Sequence, residues 1–234
     1  MLSSYVDKVL VSFHGLEYNY KKPNRVVYTG TPVRKEFFAN PDEEVEDKEK
    51  PLVVSFFGSN GAARMNEVMA ELIIKNVIES QFNHIHGTGK AGYSAMAALL
   101  RKKGLTGQLP NGIEVREYIE NMSAIMKEAD LVISRAGAST IAELTAMGKP
   151  AILIPSPNVV NNHQEPNARQ LEKAGGAVML LEKDCSSEEL YDTVTKLLKD
   201  KKKLIEMSKA QLSLAVPNAT NKIVDIVLSL CNQT

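Results

Sequence analysis

Short apolar runs alternate along this chain with longer stretches whose apolar residues recur every three or four positions. The runs occupy residues 8–13, 25–29, 52–57, 82–86, 113–118, 131–134, 151–154 and 177–181, and their length predicts strands. Between them, Met65, Val68, Met69, Leu72, Ile73 and Val77 share one face of a predicted helix. Tyr93, Met96, Leu99 and Leu100 mark a second, Met122, Ile125 and Met126 a third, and Ala168 and Leu171 lie on another. Ser186 and Glu189 have capping-box spacing ahead of Leu190, Val194, Leu197 and Leu198, and two more helical segments follow, split at Pro217. Strands that are apolar on both faces and separated by helices predict a parallel sheet covered on both sides. Right-handed crossovers then make the fold α/β, a Rossmann-like doubly wound parallel sheet. The main body is expected over residues 51–215. Residues 1–34 read as a strand pair plus linker, 35–50 as an acidic connecting segment that is mobile from Asp42 to Lys50, and 216–234 as a C-terminal helix.

Composition narrows the partners. Lys and Arg total 28, as do Asp and Glu, so no basic field points to nucleic acid. The charge clusters at 42–50 and 199–203 read as solvated loop or helix ends. Cys185 and Cys231 are the only cysteines and have no CxxC spacing, so neither a disulfide framework nor a zinc site is indicated. A reduced, cytoplasmic setting fits. The apolar runs are far too short to span a membrane and no signal peptide opens the chain, while peripheral contact stays open.

The chemistry concentrates where strands give way to helices. Ser134-Arg135-Ala136-Gly137-Ala138-Ser139-Thr140-Ile141-Ala142-Glu143 follows the run Leu131-Val132-Ile133 and opens a helix ending near Gly148-Lys149-Pro150. A glycine-containing turn into a helix leaves unpaired N–H groups at the positive end of the dipole, a seat for phosphate. A nucleotide or nucleotide-sugar is therefore the first ligand to consider. Thr140 and Glu143 also have capping-box spacing, so Glu143 either caps its own helix or accepts hydrogen bonds from ribose hydroxyls. Gly58-Ser59-Asn60-Gly61-Ala62 allows close backbone approach to a ligand, or is a tight turn with Ser59 or Asn60 as N-cap. Gln164 and Asn167 lie three apart, and paired amides suit vicinal sugar hydroxyls, although an exposed first turn carries such residues too. His163 reads as a structural hydrogen-bonder. No catalytic acid–base pair, nucleophile elbow, Walker loop or paired-aspartate metal motif is visible.

Five motifs in order resemble the C-terminal half of the bacterial lipid II-forming glycosyltransferases, the MurG family. They are Gly30-Thr31-Pro32-Val33-Arg34, Gly58-Ser59-Asn60-Gly61-Ala62, Glu117-Tyr118-Ile119-Glu120-Asn121-Met122, Ser134 through Glu143, and His163-Gln164-Glu165-Pro166-Asn167-Ala168. The resemblance implies the C-terminal domain of a GT-B glycosyltransferase that binds UDP-N-acetylglucosamine. It assigns Arg34 and Ser59 to the diphosphate and its neighbourhood, and the Ile119 backbone to uracil. It places the helix start at Ala138, Ser139 and Thr140, continuing through Ile141 and Ala142, at the phosphates. Glu143 falls to the ribose, and Gln164 and Asn167 to the sugar hydroxyls. The implied reaction transfers N-acetylglucosamine to the muramyl 4-hydroxyl of lipid I with inversion, at the inner face of the cell membrane and without cofactor or metal. The family's base and lipid I loops belong to an N-terminal domain, of which residues 1–34 would carry the last strand and linker. Phe57, Asn60 and Thr31 depart from the family's usual glycine, glutamine and asparagine. Two alternatives stand beside this reading. One is the donor subunit of a split two-chain transferase. The other is a non-catalytic nucleotide-sugar module, or an epimerase of the same architecture.

Overall fold

The computed structural model describes residues 5–13, 20–38 and 48–232 of the 234-residue chain. Eight strands and eight α-helices lie within them. The first two strands, β1 (Val9–Val11) and β2 (Val26–Tyr28), form a separate parallel pair with Val9 opposite Val26. The predicted strand at 8–13 is shorter and less covered than its apolar character suggests, because only Val11 is buried. Of the acidic connecting segment expected over 35–50, residues 39–47 lie outside the described residues. At its start, Lys35–Phe37 is a 3₁₀ turn with Phe37 buried.

The main body alternates strand and helix. It runs β3 (Leu52–Phe56), α1 (Ala63–Glu79), β4 (Asn83–Gly87), α2 (Tyr93–Lys102), β5 (Ile113–Arg116) and α3 (Met122–Glu128). It continues with β6 (Leu131–Ser134), α4 (Ala138–Met147), β7 (Ala151–Leu153), α5 (Gln164–Lys173), β8 (Ala177–Met179) and α6 (Ser187–Lys199). Two last helices, α7 (Lys201–Ser213) and α8 (Ala219–Cys231), complete the described chain. The six strands β3–β8 form one parallel sheet in the order β5-β4-β3-β6-β7-β8. Adjacent residues of a strand point to opposite faces, so each strand feeds two cores. Val53, Leu131 and Ile133 pack with Met65, Met69 and Ile73 of α1 and Leu190 and Val194 of α6. Val54 and Val132 pack on the other side with Leu144 of α4 and Leu171 of α5. At α6 the Ser186 hydroxyl accepts the Glu189 N–H at 3.1 Å, as the capping-box spacing predicts.

One buried cluster inside this apolar frame is polar. Ser55 Oγ lies 2.8 Å from His84 Nε2 and 2.7 Å from His86 Nδ1, and His86 Nε2 lies 3.3 Å from Asn66 Oδ1. Asn66 Nδ2 donates to the Thr88 carbonyl, so its oxygen is the acceptor for a protonated His86 Nε2. That makes His86 Nδ1 the acceptor of the Ser55 hydroxyl proton, which leaves Ser55 to accept from His84 Nε2. The chain of bonds requires His86 to be neutral, and a charge on His84 would bury a second N–H with no acceptor among the described residues. Burial pushes their pKa values down to about 3 for His84 and about 4 for His86.

Candidate functional site

The strand order reverses between β3 and β6, because the chain moves outward through β4 and β5 before returning to the other side of β3. The loops leaving β3 and β6 therefore splay apart and open a crevice at the carboxyl end of the sheet, where such folds bind ligands. Loop 57–62 is held close to the loop after β4. Gly61, at φ +77°, packs its backbone on Gly89, at φ +76°, and a Cβ on Gly61 would stand 2.0 Å from the Thr88 carbonyl oxygen. The Lys90 N–H also donates to the Ser59 carbonyl at 3.2 Å. Glycine is required here by both the backbone conformation and the approach.

A groove of about 540 Å³ follows the crevice, lined by Gly58, Gly61, Ala62 and Ala63 on one side and Arg135, Gly137 and Thr140 on the other. Two helix N-termini face it. The first helical bond of α4 is Ile141 N–H to the Gly137 carbonyl, so the amides of Ala138, Ser139 and Thr140 precede it. In α1 the first such bond runs from Asn66 N–H to the Ala62 carbonyl. Both helix dipoles thus direct their positive ends at one space. The helix starts correct two sequence expectations. Gly137 is the N-cap of α4, so Thr140 sits in its first turn and cannot form a capping box with Glu143. Ala62 is the N-cap of α1, so neither Ser59 nor Asn60 caps it.

Beyond Phe56 and Gly58 the groove continues into a pocket of about 220 Å³ that holds Arg34, Ser59, Tyr118, Ile119 and Glu143. Glu143 is half-buried, which raises its carboxyl pKa, while the Arg34 charge pulls it back down. Arg34 pairs with Glu36 at 2.8 Å and lies 5.0 Å over the Phe37 ring. The Ile119 side chain is buried against Gly87, where any Cβ would come within 3.2 Å of it. Its main chain makes no backbone hydrogen bond with a described residue. Ser139 is exposed beside the groove. Ala138, Ile141 and Ala142 turn their side chains to a different cavity of about 260 Å³ behind α4, shared with Gly30, Thr31 and Val216.

At the far end of the groove Gln164 Oε1 accepts the Ser156 N–H at 2.9 Å, which orients its amide nitrogen. Asn167 lies one turn deeper. It is buried, and its Nδ2 donates to the Ala136 carbonyl at 3.2 Å, bracing the turn into α4. His163 donates from Nδ1 to the Val160 carbonyl at 2.8 Å, the structural role expected of it. Sequence reasoning passed over Arg135 and Glu182, which form an ion pair at 2.5 Å in the groove wall. Arg135 stood inside the motif as a visible signal. Glu182 had none, because only the parallel order of β7 and β8 brings its loop to this place. No group of three or more metal-ligating side chains occurs among the described residues.

A doubly wound sheet with a groove at its switch point, faced by two helix N-termini, has the architecture of a nucleotide-binding domain. Residues 52–226 match the glycosyltransferase family 28 C-terminal domain, and the chain belongs to that family. It is 43% identical over 232 residues to a UDP-N-acetylglucosamine--N-acetylmuramyl-(pentapeptide) pyrophosphoryl-undecaprenol N-acetylglucosamine transferase of Acetivibrio thermocellus, covering 97% of this chain and 62% of that protein. The enzyme of the same name from Caldanaerobacter subterraneus is 38% identical, with 98% and 64% covered. The chain thus spans less than two thirds of the length of these curated relatives. Among solved structures, Acinetobacter baumannii MurG superposes with a TM-score of 0.73 at 27% identity, over 97% of this chain and 62% of that one. Staphylococcus aureus MnaA, solved with UDP, superposes at 0.72 but is 13% identical, a likeness of fold alone.

Proposed function

We propose that this chain is the donor-binding half of an inverting N-acetylglucosaminyltransferase that moves the sugar from UDP-N-acetylglucosamine to lipid I, forming lipid II. One observation carries the reading: pocket, groove and paired helix N-termini form a continuous path, with Glu143 in the pocket and Gln164 at the far end of the groove. Uracil fits against the Ile119 main chain, with Ser59 and Arg34 nearby. The ribose hydroxyls donate to Glu143. The diphosphate lies across the amides of Ala138, Ser139 and Thr140, the opening of the helix that continues through Ile141 and Ala142. The N-acetylglucosamine reaches Gln164, with Asn167 bracing the turn behind it.

In an inverting displacement the acceptor hydroxyl attacks the anomeric carbon as the bond to UDP breaks, and negative charge collects on the diphosphate. Fixed N–H donors and helix dipoles stabilise that charge without reorganising. A base must also take the acceptor proton. Base and lipid contacts are assigned to an acceptor domain. The β1–β2 pair and the segment up to Arg34 would be the end of that domain and the linker. Such an enzyme works at the inner face of the cell membrane as a peripheral protein. No helix among the described residues is long and apolar enough to cross a membrane.

Titration calorimetry with UDP-N-acetylglucosamine, UDP-glucose and UDP-N-acetylgalactosamine tests the reading. The first should bind tightest, and the purified chain should not turn over lipid I unaided. Equal affinity for all three would favour a general nucleotide-sugar module, and turnover by the chain alone would contradict the division into halves.

A further inference from the structure

We propose that Arg135 is a diphosphate-binding residue of this groove, held in a presenting orientation by Glu182. The inference rests on the nucleotide-sugar reading above. Arg135 follows β6 directly and lies two residues before the α4 N-cap, so its side chain enters the groove beside the free amides of that helix. Three contacts fix it. Nη1 donates to the Ile154 carbonyl at 3.1 Å and meets Glu182 Oε2 at 2.5 Å, and the guanidinium carbon lies 5.5 Å from the Phe57 ring centre. Both polar contacts use Nη1, so the donors on Nε and Nη2 have no partner among the described residues. The side chain is only 12% exposed, and its opening is the groove that also holds both helix N-termini. A planar guanidinium clamped by one nitrogen presents its other edge in the geometry that recognises phosphate oxygens.

Glu182 is suited to the clamp. Its side chain is 10% exposed, and its backbone carbonyl accepts Arg64 Nε at 3.3 Å and Nη2 at 3.2 Å, which ties the loop after β8 to the first turn of α1. Its Oε2 receives no aligned hydrogen bond from a described residue, so its contribution to Arg135 is charge and position. Arg135 thereby offers the leaving diphosphate charge-assisted N–H donors, while the adjacent Glu182 carboxylate offsets part of its charge. Phe57 supplies the flat surface under the guanidinium.

The experiment compares UDP with uridine as ligands of the 234-residue chain, by calorimetry or ligand-observed NMR. Arg135→Gln should weaken UDP binding by about tenfold or more and leave uridine within about twofold, as the loss of one charge-assisted contact predicts. Arg135→Lys keeps the charge but not the clamp, and should fall between parent and Arg135→Gln. Glu182→Gln should weaken UDP alone, and should add nothing in an Arg135→Gln background. If Arg135→Gln does not fold, the Lys and Glu182→Gln variants carry the same UDP-against-uridine comparison. Variants that bind UDP as the parent does, or that lose UDP and uridine equally, overturn the proposal and leave the nucleotide reading intact. A parent that binds neither ligand overturns both.

Discussion

At the scale of single residues, Glu143 separates a structural from a functional carboxylate. Gly137 caps α4, which removes the self-capping role, and the half-buried carboxyl faces the pocket with Ser59 and Ile119. If Glu143 accepts the ribose hydroxyls as proposed, its removal should show in uridine binding. Glu143→Ala should cost uridine about 1.5–3 kcal/mol of binding, the range for hydrogen bonds to a charged group, read by calorimetry. Unchanged affinity would return Glu143 to a surface role. Spacing alone could not decide this, because Thr140 and Glu143 match a capping box as well as they match a ligand site. What decides is the position of the helix start, and Gly137 gives no side-chain signal of being a cap. Arg135 and Glu182 mark a further boundary of legibility: their pairing joins residues far apart in sequence, which no local pattern encodes.

At the scale of elements, the apolar runs and three-to-four periodicities correspond to the strands and helices of the main body, with ends trimmed by a residue or two. That agreement has a physical basis. Parallel strands with helices on both faces are buried on both sides and mostly apolar, so β3, β6 and β7 stand out of the sequence. Strand β4 is the exception in chemistry. His84 and His86 lie in its buried centre, bridged by the Ser55 hydroxyl, and burial keeps both neutral. The sign of the resulting pH dependence follows directly. Both native pKa values lie below the unfolded value of 6.5, so the unfolded chain binds protons that the native one refuses. Stability from this source is full above pH 6.5 and declines as pH falls towards 4, by about 2 kcal/mol per histidine at pH 5. Urea midpoints at pH 7, 6 and 5 should therefore drop steeply, ahead of most carboxylate protonation. A flat profile over that interval would mean that the cluster is hydrated or differently bonded.

At the scale of the whole molecule, the site exists because of strand order. Reversal between β3 and β6 opens the crevice, and the glycine contact between residues 61 and 89 draws the two loops on one side of it together. The sequence predicted a doubly wound sheet but not which strands flank the reversal, because order is set by long-range packing. The parallel pair β1–β2 and the C-terminal helix α8 lie outside the six-stranded sheet, and α8 turns Val224, Val227 and Leu228 outward. The most direct test of the central claim is a titration of the isotope-labelled chain with UDP, following backbone amides by NMR. The amides of Ala138, Ser139 and Thr140 should move most, together with Ile119, and in proportion to occupancy. Shifts confined to other parts of the surface, with these four unmoved at saturation, would contradict it.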